Sequence, residues 1–357
     1  MAGGDVVAER DVVDVVCLGE SLVAFRPSTA GPLAGVPSFT RGIGGAESNT
    51  ACALAAWGHR VRWIGRVGAD GFGTHLLRTI ASHGVDTSLA QRDPDRPTGV
   101  YFRTAGERAP TDGRDGVPTP YAEVAYYRAG SAASAMAPDV IAREAAWSGR
   151  VLHLSGITAA LSAGCLALLR RLTEHAPGRP LVSFDVNYRA QLWRNAPKGP
   201  DVLAELARRC DLVLVGEDEA EAAWGLRGAD AVRDALPEPA VLVVKRGAEG
   251  AVAYTGGEAV AVRAPAVDVV APVGAGDAFA AGFLSATLRG LPPAARLRHG
   301  HLAAAAALTV AGDLGAPPTR AYADALAGLD AGAWGRLRLG PGWTEPAHGG
   351  EHGEHTA

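Results

Sequence analysis

Short β-branched apolar runs alternate along the chain with longer stretches whose apolar residues recur at helical spacing. Runs at 12–17, 61–64, 151–154, 181–184, 212–215 and 241–244 predict strands. Stretches at 48–56, 74–82, 165–175, 277–289 and 297–311 predict helices between them. Strands joined through helices need crossover connections, so the expected fold is α/β: a doubly wound, mostly parallel sheet with helices on both faces. Two regions, 21–40 and 98–128, break the alternation by mixing turn formers with strand-like pieces such as Gly99-Val-Tyr-Phe-Arg and Ala125-Tyr-Tyr-Arg. They predict a small discontinuous β lid, about 21–42 and 98–131, on a domain spanning 12–330, with 109–120 as an exposed excursion. Residues 1–11 and 340–357 read as flexible tails, and His348, His352 and His355 as solvated tail residues rather than metal ligands.

Composition narrows the function. Hydrophobic residues at 48% and charged residues at 20% are ordinary for a globular chain of 357 residues. A net charge of −4 gives no attraction to nucleic acid or anionic lipid, so neither partner is expected. Cys17, Cys52, Cys165 and Cys210 form no CxxC pair and read as small buried apolar residues. The opening segment carries acids where a signal peptide needs basic residues, and the longest apolar run, 302–310, is about half a membrane span. A cytoplasmic location is the expectation.

The chemistry concentrates at Val269-Val-Ala-Pro-Val-Gly-Ala-Gly-Asp-Ala-Phe-Ala-Ala-Gly-Phe, where Gly274, Ala275 and Gly276 open an apolar helix and Asp277 sits at its start. Glycines let backbone N–H groups converge, and a helix start adds unpaired donors and partial positive charge, so the turn suits a phosphoryl group. A carboxylate beside it can take the proton of an attacking hydroxyl, and the helix start should keep that carboxylate ionised. The alternative is that Asp277 only caps the helix. A second glycine motif, Gly42-Ile-Gly-Gly-Ala-Glu-Ser-Asn, also enters a helix, and Gly65-Arg-Val-Gly-Ala-Asp-Gly-Phe-Gly follows. There is no GxxxxGK[ST], no early strand leading into GxGxxG, and no HRD or DFG.

GGAESN, GRVGADGFG and GAGDAFAAGF, in this order and spacing over roughly 12–330, resemble the ribokinase-like (PfkB) carbohydrate kinases. Within them the chain is most similar to 2-keto-3-deoxygluconate kinases, through Ala125-Tyr-Tyr-Arg-Ala-Gly-Ser-Ala, Leu152-His-Leu-Ser-Gly-Ile-Thr and Phe184-Asp-Val-Asn-Tyr-Arg-Ala-Gln-Leu-Trp. The resemblance implies ATP as phosphoryl donor, magnesium, a small-molecule sugar acid as acceptor, and Asp277 as base beside the Gly274–Gly276 turn. It implies that Gly44, Gly45 and Asn49 border the sugar, that Tyr101 reaches it from the lid, and that Asp313 contacts it, unless Asp313 is a turn residue. A sugar acid needs a cationic clamp, and Arg128 with Tyr126 or Tyr127, and Arg189, fit that need; taken alone either arginine reads rather as a surface or structural ion pair, and the sequence context reverses that judgement. Lys245, Gly247 and Gly250 match the nucleotide-side loop, or form a plain hairpin. Glu219 matches an acid that holds hydrated magnesium, or is an ordinary helix acid.

Three positions depart from the family pattern. Gly216 stands for Asn or Ser near the nucleotide phosphates, Ala271 for an Asp linked to monovalent-cation activation, and His301 for an Asn at the nucleotide end. The resemblance also allows a homo-oligomer paired through the lid. The rival readings are a kinase of a neutral sugar or nucleoside, and a sugar-binding regulator without catalysis.

Overall fold

The computed structural model describes residues 12–29, 31–104, 124–196, 198–312 and 314–345. The β-branched runs become strands because each buries both faces. Side chains alternate across a strand, so Val16 and Leu18 enter one apolar cluster while Val15 and Cys17 enter the other. The helices Ala163–Leu172 and Gly199–Arg208 fill the first cluster, and Ala46–Ala56, Gly71–Ser82, Ala275–Leu288 and Pro293–Leu308 fill the second. All four cysteines are buried and free.

The sheet has eight strands, in the order Glu258–Val262, Ala251–Thr255, Val241–Lys245, Leu212–Gly216, Leu181–Asp185, Gly149–Ser155, Val13–Leu18 and Val61–Ile64. The last six are mutually parallel, as the alternation of strands and helices predicts. The first two are antiparallel additions that the sequence reading missed. Their turn is Gly256-Gly257 at φ 58° and 83°, the left-handed pair that a two-residue hairpin demands. Helix starts also shift for local reasons. The helix expected from 74 begins at Gly71, because Asp70 accepts from the Gly73 N–H at 2.7 Å and caps it.

A separate four-stranded sheet occupies the lid segments, in the order Phe39–Gly44, Leu22–Pro27, Val100–Arg103 and Val124–Tyr127. Phe25, Phe39, Phe102 and Tyr127 cluster on one of its faces and meet Phe72. Leu22, Ala24 and Tyr101 pack together on the other. This second face is tied to the main domain where the Arg26 guanidinium donates to the Ala311 carbonyl and Arg128 pairs with Glu20. The excursion at 109–120 lies outside the described residues. At the carboxyl end the expected tail begins too early, because Trp343 packs against the cluster of Trp334 and Leu339. Among the described residues no helix is long and apolar enough to cross a membrane.

Candidate active site

The two glycine motifs, far apart in sequence, meet at Asp277. Gly274 adopts φ 76° as the cap of Ala275–Leu288, which places Asp277 in the first turn of the helix rather than at its cap. Its carboxylate is therefore free for other partners, and Oδ2 accepts from Asn49 Nδ2 at 2.9 Å. Thr50 Oγ1 donates to the Asp277 carbonyl at 3.2 Å, so the Ala46–Ala56 helix holds both ends of the residue. Gly45 lets the start of that helix lie against the turn at Glu20, since a Cβ there would overlap the Glu20 carbonyl oxygen. The helix start does not keep Asp277 fully ionised. Burial pushes its carboxyl up to about 7, with Asp185 adding to the rise, against the Asn49 hydrogen bond and the charges of Arg189 and Lys245.

Glu47, in the same motif, is fully buried. Its Oε1 accepts from Ser155 Oγ at 2.7 Å and Thr158 Oγ1 at 2.8 Å, while Oε2 has no partner among the described residues. Burial pushes this carboxyl up to about 7 despite those hydrogen bonds.

Beside Asp277 lies a network of paired charges at the ends of the parallel strands. Lys245 Nζ, at the end of Val241–Lys245, donates to both carboxylate oxygens of Asp185 at 3.0 and 2.9 Å. Burial alone would lower the Lys245 pKa, but Asp185 and Glu219 outweigh it and keep the ammonium charged. The same ammonium lies 3.7 Å from where a Cβ on Gly276 would stand, so it borders the Gly274–Gly276 turn. Glu219 Oε2 accepts from the Gly216 N–H at 3.0 Å, and Oε1 from Arg189 Nη1 at 3.1 Å. Lys245 and Arg189 overcome the effect of burial and hold the Glu219 carboxyl below its usual range. Asp185 escaped the sequence reading, although an acid at the carboxyl end of a central parallel strand is itself a signal.

The lid separates the residues expected near the acceptor. Tyr101 and Tyr126 stack at 5.4 Å, and the Arg128 guanidinium lies 5.4 Å over the Tyr126 ring. Tyr127 projects to the opposite face, against Phe102. Arg128 pairs through Nη2 with the buried Glu20, another residue the sequence reading missed, while its buried Nε has no partner among the described residues. Gly44 closes the lid strand opposite Leu22. Asp313 lies outside the described residues.

In the loop expected on the nucleotide side, Lys245 and Ala251 pair across an antiparallel hairpin whose turn places Gly247 at φ 56° and Gly250 at φ 115°. Hairpin geometry thus accounts for both glycines. His301 is buried; its Nε2 lies 3.2 Å from the Val262 carbonyl and its ring 5.3 Å from that of Phe279. Burial lowers its pKa to about 4, so the ring is neutral. The Val270 and Ala271 N–H groups both donate to the Leu308 carbonyl, at 2.8 and 3.2 Å, which anchors the irregular segment leading into the glycine turn. Among the described residues no group of three acidic, His or Cys side chains could hold a metal.

The profile of the pfkB family carbohydrate kinases matches residues 13–320. The chain is 34% identical over 317 residues to the 2-dehydro-3-deoxygluconokinase of Bacillus subtilis, covering 86% of this chain and 93% of that protein. It is 33% identical over 318 residues to the 2-dehydro-3-deoxygluconokinase of Thermoproteus tenax, covering 88% and 94%. Among solved structures it is similar to a PfkB protein from Polaromonas sp. JS666, with a TM-score of 0.75 and 33% identity over 88% of this chain and 100% of that one.

Proposed function

Since the chain belongs to the PfkB family of carbohydrate kinases, we propose that it transfers the γ-phosphoryl group of ATP to the 6-hydroxyl of 2-keto-3-deoxygluconate. The observation that carries the reading is Asp277, seated in the first turn of a glycine-capped helix beside Lys245 and oriented by Asn49. Asp277 takes the proton of the attacking hydroxyl. The N–H groups of the Gly274–Gly276 turn and the Lys245 ammonium bear the charge of the group in transfer. Magnesium on the nucleotide phosphates supplies further neutralisation when bound, and Glu219 is suited to hold a water of its shell. Arg189, paired with Glu219, belongs on this phosphoryl side.

For the acceptor, the buried Nε of Arg128, which has no partner among the described residues, is available to a carboxylate, next to Tyr126. Leu22, Ala24 and Tyr101 form an apolar surface on the same lid face, suited to a carbon without a hydroxyl. Two relatives more than 30% identical to this chain are named for the same substrate. Water exclusion under the lid limits wasteful hydrolysis of ATP.

The test is ADP release with ATP and magnesium over 2-keto-3-deoxygluconate, its galacto epimer, gluconate, fructose, ribose and adenosine. Turnover confined to the keto-deoxy acids, with Arg128→Ala raising their KM sharply, is the expected result. Turnover only on a neutral sugar keeps the kinase and removes the acid specificity, and no turnover at all favours a sugar-binding regulator.

A further inference from the structure

The family profile ends at residue 320, yet the residues that follow reach back to the glycine turn. They form two short helices, Arg320–Ala327 and Ala331–Gly335, and a strand, Arg338–Leu339, that pairs in parallel with Ala266–Val267. The Leu337 carbonyl accepts from the Ala266 N–H at 3.1 Å, and the Leu339 carbonyl from the Asp268 N–H at 2.9 Å. Trp334 Nε1 donates to the Arg263 carbonyl at 2.9 Å. All three bonds fall on the segment that runs from the edge strand Glu258–Val262 into Gly274.

That segment does not anchor itself through its own apolar side chains, since Val269 and Val270 are 56% and 50% exposed. The piece that holds it is firmly seated. Trp334 and Leu339 are buried with Trp57, Leu302 and Ala305, and the Arg298 guanidinium lies 4.8 Å over the Trp334 ring. Val267, before the glycine turn, and Ala278, next to Asp277, pack against this same cluster. One apolar cluster therefore supports the turn from both sides, through the strand that enters it and the helix that leaves it.

We infer that Trp334 and Leu339 are positioning residues: the carboxyl-terminal strand is a strap that fixes where the N–H groups of the Gly274–Gly276 turn meet the group in transfer. The strap acts through the turn and not on either substrate. The inference rests on that turn carrying the phosphoryl group, and not on which sugar receives it.

Trp334→Phe keeps a buried ring and removes the N–H bound to Arg263, and Leu339→Ala empties the buried end of the strap. Assayed in the full chain well below Tm, with ATP, magnesium and the sugar that the wild type turns over, each should lower kcat ~3- to 30-fold, as misplacement from a distance does. The acceptor KM should stay unchanged. Lost packing will also lower Tm, so a cross-link separates position from stability. Ala266 and Arg338 are exposed register partners on neighbouring strands, within disulfide reach, and the four native cysteines are buried. In the Leu339→Ala background, Ala266→Cys with Arg338→Cys should regain most of the wild-type kcat on oxidation and lose it again on reduction. Wild-type kcat in both single variants, an acceptor KM that rises with the loss, or a cross-link that restores Tm without kcat would each overturn the assignment. Gly276→Ala is the control: if it leaves ATP kinetics unchanged, the turn does not carry the phosphoryl group and both readings fall, and if it acts while the strap variants do not, the strap alone is refuted. Should the wild type turn over none of the sugars, the Kd for ATP decides, which must rise in the strap variants and overturns the strap if it stays at the wild-type value.

Discussion

Replacing Asp277 by Asn should move activity and stability in opposite directions. Burial and the neighbouring Asp185 raise the carboxyl from 3.8 to about 7. With that value the ionised fraction rises from ~0.09 at pH 6 to ~0.91 at pH 8, so kcat/KM for a reaction needing the ionised base should climb about tenfold over that range. Both substrates must be kept well below saturation, so that the free enzyme is the reference state. Asp277→Asn removes the base and should lower turnover ~100- to 10,000-fold, with no inflection near neutrality in the residual rate. For stability, a raised folded-state value means that the proton favours the native form. The contribution is complete below 3.8 and is lost as pH rises through about 7. The Asn variant never carries the buried charge, so at pH 8 it should unfold at a higher denaturant midpoint than the wild type. Allowing for the partial exposure of the side chain, the gain is ~1–3 kcal/mol. A variant that keeps more than a tenth of the turnover, or a wild-type profile flat between pH 6 and 8, would refute the assignment of the base.

Glu47→Gln tests the other buried carboxyl: the wild-type group stabilises below 4.5 and ceases to do so as pH passes about 7, so the stability difference between the two proteins should change by ~2–3 kcal/mol between pH 5 and 8. Chemical denaturation at each pH measures it, and a constant difference would mean that Glu47 is ionised throughout. Gly274→Ala should lower Tm and activity together, because φ 76° is strained for alanine. Gly276→Ala meets only ordinary contact with Lys245 Nζ, so it should fold normally while raising the KM for ATP. Asp185→Asn and Lys245→Met should be strongly non-additive in kcat/KM, and additive losses would show that the pair does not act as a unit.

The main sheet was legible because its strands are apolar on both faces, which few other arrangements allow. The antiparallel edge was equally readable in principle, since Gly256-Gly257 divides two alternating runs, but those runs are alanine-rich and weak in β-branched residues. Motif spacing brought Asp277, Asn49 and the glycine turn to one place. What spacing could not reveal is which charges face one another. Lys245 matched a loop by position, whereas its partner Asp185 comes from a strand two places away in the sheet. Arg128 was legible as a cation, but Glu20 arrives from the turn after the first strand, and no local pattern links them. Tyr126 and Tyr127 were ambiguous until strand register assigned them to opposite faces. The expectation of a fully ionised Asp277 weighed the helix terminus and omitted the burial of its carboxyl and the neighbouring Asp185.

On the proposed reading, the bonds from Asn49 and Thr50 to the side chain and carbonyl of Asp277 fasten the floor of the acceptor cleft directly to the machinery of transfer. Lid strands contribute neither of those bonds. Side chains on the lid can therefore be exchanged to suit sugars of different charge and hydroxylation while the distance between the nucleophile and the phosphoryl group is held by the helices beneath. Selection of the substrate and execution of the chemistry would then be separable properties of the chain, and the lid is where a change of diet would first be written.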